Sequence, residues 1–315
     1  MWGKNHFEVE GKSVIVAGGS KGLGRELAIQ LTSQGANITI LARSPDALES
    51  TRTELHKHTK SPTQTITATP LDLTNAPAVQ EYITSLSTPP DILFCVAGGV
   101  SQQIGFFADI TAHDIENCMR LNYLSGAFIA HAVFRRWVKE PPAHQDHTRH
   151  LVFTASTAAF LGLPGYAAYA PAKAATRALA DTLRSEALLY SSRQEIKIHC
   201  SFPGTFYSEG FYEEQKRKPV LLKEIEGTSE DKGGLSAECV AERTMSGLRR
   251  GRFLIATDGE TELALNAMRG ASPRDCVVKD WVMGLVVSLV LPVYRMGWDR
   301  RTVKFGERMM GEESG

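Results

Sequence analysis

The chain has 315 residues, 43% of them hydrophobic and 22% charged, enough for one large domain, or a domain with an appendage, around a buried core. Lysine plus arginine equals aspartate plus glutamate at 35 each, so the global positive field used in non-specific nucleic-acid binding is missing and no nucleic-acid partner is expected. Five scattered cysteines, Cys95, Cys118, Cys200, Cys239 and Cys276, form no CxxC pair, which reads as reduced thiols rather than a disulfide framework or a zinc site.

Met1–Gly11 is polar and lacks the apolar stretch of a secretory leader. From residue 12 to about 260, strand-like runs alternate with helix-length segments. The first strand, Ser13–Gly18, runs into Gly18-Gly19-Ser20-Lys21-Gly22-Leu23-Gly24, and a helix over Leu23–Gln34 follows. The glycine spacing departs from GxGxxG. Such a turn still lets a pyrophosphate approach backbone N–H groups at a helix N-terminus; a purely structural turn is the alternative.

The second strand, Asn37–Ala42, leads to Arg43, where NAD-selective sites of this kind carry an acid for the ribose 2′-hydroxyl. An arginine there, with Ser20 and Lys21 nearby, suits a 2′-phosphate, so NADPH is the expected cofactor; a solvated Arg43 is the competing reading. Further strands are expected at Gln64–Asp72, Asp91–Ala97, His150–Ser156, Glu195–Phe202 and Phe253–Thr257. Most are near-continuous in apolar residues, as strands covered on both faces are. The rhythm predicts an α/β fold, a doubly wound parallel sheet of the Rossmann type, in a single domain over residues 1–270 with ligands at the strand C-termini.

Thr154-Ala155-Ser156 ends the fifth strand, and Tyr169-Ala170-Pro171-Ala172-Lys173 opens a helix expected over Tyr169–Tyr190. Pro171 sits in the first turn, where its missing N–H does no harm. A spacing of four puts Tyr169 and Lys173 on one helical face. A tyrosine ionises near ~10 and needs a cation to steady its phenolate; Lys173 can supply that charge while Ser156 holds a substrate carbonyl. Tyr-x-x-x-Lys pairs are common on helices without chemistry, and it is the position after the Ser156 strand that singles this one out.

With these residues in place, the chain resembles the short-chain dehydrogenase/reductase family over residues 12 to about 260. The family's glycine turn corresponds to Gly18, Gly22 and Gly24, and its catalytic set to Asn122, Ser156, Tyr169 and Lys173. The resemblance implies that Leu23, Asp72, Leu73, Ala97, Gly98, Pro203, Gly204 and Thr205 also line the cofactor, that Lys173 binds the nicotinamide ribose and that Asn122 steadies a proton-relay water. One departure stands out: the family's Asn-Asn-Ala-Gly is Cys95-Val96-Ala97-Gly98-Gly99 here, without the asparagine that braces that turn.

The finer likeness is to the 3-ketosphinganine reductases within that family. It rests on Gly18–Leu27, on Arg177 after Lys173, on Phe202-Pro203-Gly204-Thr205, on Glu209-Gly210-Phe211-Tyr212-Glu213-Glu214, on Lys218-Pro219 and on Ile225-Glu226-Gly227. It implies NADPH reduction of the C3 ketone of a long-chain sphingoid base, at the endoplasmic reticulum membrane with the catalytic domain facing the cytosol. By analogy with the family a homodimer is expected. The alternatives are a reductase of another lipophilic ketone (steroid, retinoid or acyl) and a catalytically silent nucleotide-binding scaffold, against which the four intact catalytic positions argue.

Three segments interrupt the rhythm: the polar loop Pro141–His150, the charged insertion Thr205–Ser236, and Asp280–Arg301, markedly apolar in its first part. Thr205–Ser236 mixes Phe206, Phe211, Tyr212 and Leu221 with many charges, and reads either as a substrate lid or as a solvated excursion. Residues 271–315 are expected to form a membrane-associated segment. Its Trp281–Tyr294 run carries no charge, but 14 helical residues span only ~21 Å against the ~30 Å hydrocarbon core. That segment would dip into one leaflet, span with help, or simply pack as a terminal or dimer-interface helix. Trp281, Tyr294 and Trp298 stand as interfacial anchors, with Arg295, Arg300 and Arg301 near lipid phosphates. His144, His147 and His150 lack Cys or acidic partners and read as a solvated loop, so no metal is expected. Lys216-Arg217-Lys218 reads as a short basic run facing water or headgroups.

Overall fold

The computed structural model describes residues 5–99, 103–142, 147–226 and 234–313, with side chains described up to Met310. In chain order the elements are β1 (Ser13–Ala17), α1 (Gly22–Ser33), β2 (Asn37–Ala42), α2 (Pro45–Lys57), β3 (Ile66–Pro70), α3 (Ala76–Ser85) and β4 (Ile92–Cys95). There follow α4 (Ala112–Met119), a π-helical turn (Arg120–Leu124), α5 (Ser125–Lys139), β5 (Arg149–Thr154), α6 (Tyr169–Ala187) and β6 (Ile196–Phe202). The last part comprises β7 (Phe206–Tyr207), α7 (Glu209–Arg217), α8 (Val220–Glu226), β8 (Leu235–Ser236), α9 (Ala237–Arg249), β9 (Leu254–Ala256), α10 (Gly259–Met268) and α11 (Val277–Glu313).

Seven strands form one sheet in the order β3-β2-β1-β4-β5-β6-β9, every pairing parallel. Alternate residues of each central strand enter opposite layers, as the two-residue strand period requires. Ile15, Leu93, Leu151 and Phe153 pack with Ile129, Val133 and Trp137 of α5. Val14, Phe94 and Val152 face the other way, onto Leu27 and Leu31 of α1 and Met245 of α9. Each such side chain contributes about 1.5–3 kcal/mol on burial. With helices on both faces, this is the doubly wound architecture the strand rhythm implies.

Strand pairing stops one or two residues earlier than the apolar runs suggest, at Ala17, Pro70, Cys95 and Thr154. The released residues, Gly18, Asp72, Ala97 and Ser156 among them, line the cleft at the strand ends. Strand order reverses between β1 and β4, and there the flanking connections leave to opposite faces and open that crevice.

Residues 205–226 and 234–236 fold as a cap. Phe206 and Tyr207 pair with Leu235 and Ser236, and α7 and α8 lie between those strands in sequence. Lys218 corrects the reading of a solvated basic run: its side chain is 1% exposed, whereas Lys216 two residues earlier is 66% exposed. His150 is likewise no loop residue. It is buried in β5 with Nδ1 3.0 Å from His199 Nε2, and burial holds both imidazoles below their usual pKa, His199 at about 4. His147 pairs with Asp91 at 2.6 Å; His144 lies outside the described residues.

The C-terminal apolar run belongs to a much longer helix. α11 has 37 residues, about 55 Å. Asp280, Met283, Gly284, Val287 and Leu291 are turned toward the domain at three-and-four spacing, and after a break at exposed Tyr294 and Arg295 the inward face resumes with Trp298, Thr302 and Phe305. At Gly284 an added Cβ would stand 3.2 Å from the Asn266 carbonyl oxygen of α10, so the approach is close. The junction is fastened by Arg269, 1% exposed, whose Nη1 donates to the Pro273 carbonyl at 2.7 Å and whose Nη2 meets Asp280 at 3.6 Å. Beyond Tyr294 the helix continues through the Arg295–Asp299 i,i+4 pair at 2.9 Å, and Phe305 reaches Phe106 with ring centroids 6.1 Å apart.

Candidate active site

One cleft of about 1320 Å³ runs along the C-terminal edge of the sheet. Its nucleotide end is made by the turn between β1 and α1. Gly18 has φ +95°, and a Cβ on Gly24 would lie 2.1 Å from the Gly18 carbonyl oxygen, so any side chain there would break the turn. Lys21 is the N-cap of α1 and provides no side-chain cap, and the first turn carries no acid. The leading N–H groups of a 12-residue helix therefore face the cleft with the positive end of the dipole, a fit for pyrophosphate.

Arg43 lines the same end, is exposed, and makes no ion pair among the described residues. Lys21 is engaged differently from what the sequence suggests: its Nζ meets Glu209 of α7 at 2.9 Å, tying the glycine turn to that helix across exposed surface. Asp72 accepts from the Thr74 N–H at 2.9 Å and hydroxyl at 2.8 Å, bonds that hold its carboxyl below the usual range. Ser20, Gly22, Leu23, Leu73, Ala97, Gly98, Pro203, Gly204 and Thr205 all line this cleft. At Gly204 a Cβ would come within 2.5 Å of Asp258 Oδ2.

At the other end stand Ser156, Tyr169 and Lys173. Ser156 accepts from the Ala158 N–H at 3.2 Å, which fixes its rotamer, and its side chain stands close enough to the Tyr169 hydroxyl to favour the phenolate. Tyr169 opens α6 because Ala170-Pro171 can occupy a first turn. Lys173 follows one turn later. Its Nζ, 4% exposed as a residue, lies 5.6 Å from the Tyr169 ring centroid and donates to the Thr154 carbonyl at 3.1 Å. Burial pushes the Lys173 pKa down to about 8. Burial also raises the Tyr169 hydroxyl; the neighbouring Ser156 side chain opposes this, and the charges of Glu214 and Glu226 add to it. The phenol thus keeps its proton at neutral pH, the state a proton donor needs.

Asn122 sits behind the cleft wall rather than in it, in the π-helical turn, 4% exposed. Its Oδ1 accepts from the Gly99 N–H at 2.9 Å, and its Nδ2 donates to the Gly99 carbonyl at 2.7 Å and the Cys118 carbonyl at 3.1 Å. This supplies from another element the bracing that the missing asparagine after β4 leaves open. A Cβ at Gly98 would lie 2.7 Å from Asn122 Oδ1 and 3.3 Å from Lys173 Nζ, so glycine is required where these groups converge.

Four cleft residues escaped the sequence reading as a group: Tyr166, Glu214, Lys218 and Glu226. The Tyr166 hydroxyl donates to Glu214 at 2.7 Å, and Lys218 pairs with Glu214 at 2.9 Å and with Glu226. The last three lie in stretches that carry the family likeness, which was their only signal. Trp298 of α11 also lines the cleft, and Arg295 donates to the Gly162 carbonyl at 3.3 Å, so the terminal helix borders the site.

This arrangement, a dinucleotide-shaped cleft with a serine–tyrosine–lysine constellation at one end, defines a class of oxidoreductase. The short chain dehydrogenase model matches residues 12–218, more than half of the chain, and the protein belongs to that family. Among curated proteins it is 36% identical to a 3-ketodihydrosphingosine reductase of Aspergillus fumigatus, over 92% of this chain and 84% of that one. It is 33% identical to a 3-ketodihydrosphingosine reductase of Neurospora crassa, over 96% and 84%. It also matches a PIGF/3-ketodihydrosphingosine reductase fusion protein of Schizosaccharomyces pombe at 35% identity, over 95% of this chain but only 58% of that longer one. Solved structures share the fold: a short-chain dehydrogenase from Sphingobium yanoikuyae in complex with NADPH superposes with TM-score 0.67 at 21% identity, covering 84% of this chain and 97% of that one.

Proposed function

We propose that the protein reduces the 3-keto group of 3-ketodihydrosphingosine to the alcohol with NADPH. The observation that carries this reading is the meeting of Ser156, the Tyr169 phenol and a buried Lys173, one helical turn after Tyr169, in a single cleft that opens on a glycine turn. The named relatives supply the substrate class. The glycine turn, Arg43 and the Gly98–Lys173 wall would hold NADPH, whose reduced nicotinamide supplies a hydride to the ketone carbon.

Ser156 and Tyr169 hold the ketone oxygen by hydrogen bonds. As negative charge grows on that oxygen, Tyr169 hands over its proton, and the nearby Lys173 ammonium steadies the phenolate left behind. Lys173 keeps its place through the Thr154 carbonyl, and Asn122 keeps the Gly98–Gly99 backbone against it. Purified protein is expected to consume NADPH and form dihydrosphingosine one for one. Reduction of a steroid, retinoid or acyl ketone at a higher kcat/KM would reassign the substrate.

For the cofactor, Arg43→Ala is expected to weaken NADPH binding roughly 10–100-fold while changing NADH little, since guanidinium–phosphate hydrogen bonds are charge-assisted. Equal losses for both nucleotides, measured by fluorescence titration, would remove Arg43 from the phosphate site.

The membrane part of the reading rests on α11, a helix long and apolar enough to cross a membrane by length and composition. Its inner seam is occupied by the domain, whereas Val278, Trp281, Leu285, Leu289 and Val293 are 52–74% exposed. This outer face suits insertion into one leaflet parallel to the surface, with the cleft mouth beside it and the body on the cytosolic side of the endoplasmic reticulum. Leu285→Lys with Leu289→Lys should release the protein from phospholipid vesicles in a flotation assay without lowering its melting temperature. Undiminished flotation would leave α11 as a packing helix.

A further inference from the structure

The cap carries a charge arrangement that delivery of a proton to a ketone does not require. Lys218, 1% exposed at its side chain, stands between Glu214 and Glu226, which are 15% and 14% exposed. Glu214 accepts from the Tyr166 hydroxyl at 2.7 Å, and the Lys218 ammonium is 5.5 Å from the Tyr166 ring centroid. Two carboxylates face one ammonium, so the fully ionised cluster has a net charge of −1 inside the wall of the cleft. Burial pushes the Glu226 carboxyl upward, and its Oε2 faces the Lys218 ammonium and makes no other hydrogen bond. An excess buried carboxylate costs several kcal/mol unless a cation answers it.

The cluster is also next to the chemistry. The Tyr166 and Tyr169 rings are 5.3 Å apart, and both glutamates raise the Tyr169 hydroxyl, which means they oppose the phenolate that forms when it gives up its proton. A monocation beside them would remove that opposition during turnover. We propose that Tyr166, Glu214 and Glu226 form a subsite for the ammonium group of an α-amino ketone, with Lys218 holding the two carboxylates in place. The inference rests on the substrate reading above: a sphingoid 3-ketone carries its amine on the carbon next to the carbonyl, so a carbonyl on Ser156 and Tyr169 brings that ammonium to the neighbouring wall. The amine then contributes to binding and, by cancelling the carboxylate field at Tyr169, to the proton transfer itself.

The test compares 3-ketodihydrosphingosine with the same hydroxyketone chain lacking the amine, using full-length protein. Wild type is expected to favour the amino ketone in kcat/KM by about 10–100-fold, the scale of one charge-assisted hydrogen bond. In Glu226→Gln that ratio should fall toward one, through loss on the amino ketone. A wild-type ratio near one overturns the subsite and leaves the reductase reading standing, and this arm needs no folded variant. A large ratio unchanged in both Glu226→Gln and Glu214→Gln also overturns it. Turnover of neither ketone by wild type would overturn the substrate reading, and the subsite with it.

Discussion

Tyr169→Phe is expected to lower kcat/KM for ketone reduction by about 10²–10⁴-fold, the usual contribution of a positioned proton donor. The substitution removes one oxygen and little else. The ring keeps its contact with Tyr166 at 5.3 Å, and α6 keeps its first turn. The lost hydroxyl lines the open cleft, where water can take its place, so stability should change by no more than about 1 kcal/mol. Steady-state kinetics beside a thermal melt separate the two effects. A Phe variant that turns over at the wild-type rate would mean that another group carries the proton.

Lys173→Met should abolish turnover to a similar extent while making the protein more stable at neutral pH. Lys173 is 4% exposed, and its pKa falls from an unfolded value of 10.5 to about 8 because burial disfavours the ammonium. Below pH 8 both states are protonated and the folded state bears the full cost of the buried charge. As pH rises from 8 to 10.5 the folded state loses its proton first and the cost fades, so wild-type stability recovers over that window. Methionine, similar in length, carries no such cost. We expect it to gain on the order of 1–3 kcal/mol at pH 7, less what the Thr154 carbonyl loses, with the gain vanishing above pH 10.5. Wild-type kcat/KM should decline as pH passes about 8, where the free enzyme loses the ammonium. Denaturant melts at pH 7 and pH 10 measure the difference, and a Met variant less stable than wild type at pH 7 would contradict the account.

The chemistry that sequence makes legible is the chemistry held by short-range geometry. Tyr169 and Lys173 are one helical turn apart, and Gly18, Gly22 and Gly24 lie in one turn, so spacing alone brings them together. Ser156 and Arg43 follow from their places at strand ends, because a parallel sheet delivers all strand C-termini to one edge. Asn122 and Asp72 required the family likeness, since no local pattern ties them to the site.

The Tyr166–Glu214–Lys218–Glu226 cluster was illegible for a different reason. It joins residues from two sides of a crossover, and Lys218 is hidden in a run whose other members, Lys216 and Arg217, are exposed. Charge count in a segment cannot tell a solvated lysine from one buried between two acids. The length of α11 was masked similarly. Charged residues beyond Tyr294 look like the end of an apolar helix, whereas Trp298, Thr302 and Phe305 resume the inward face among them. Both cases need the packed partner before the pattern has meaning.

The most direct measurement of the central claim follows NADPH consumption and dihydrosphingosine formation by the purified full-length protein supplied with 3-ketodihydrosphingosine in detergent or vesicles. Equimolar conversion in wild type, lost in Tyr169→Phe, is the predicted result. NADPH left untouched by a folded wild-type protein that binds the nucleotide would contradict it.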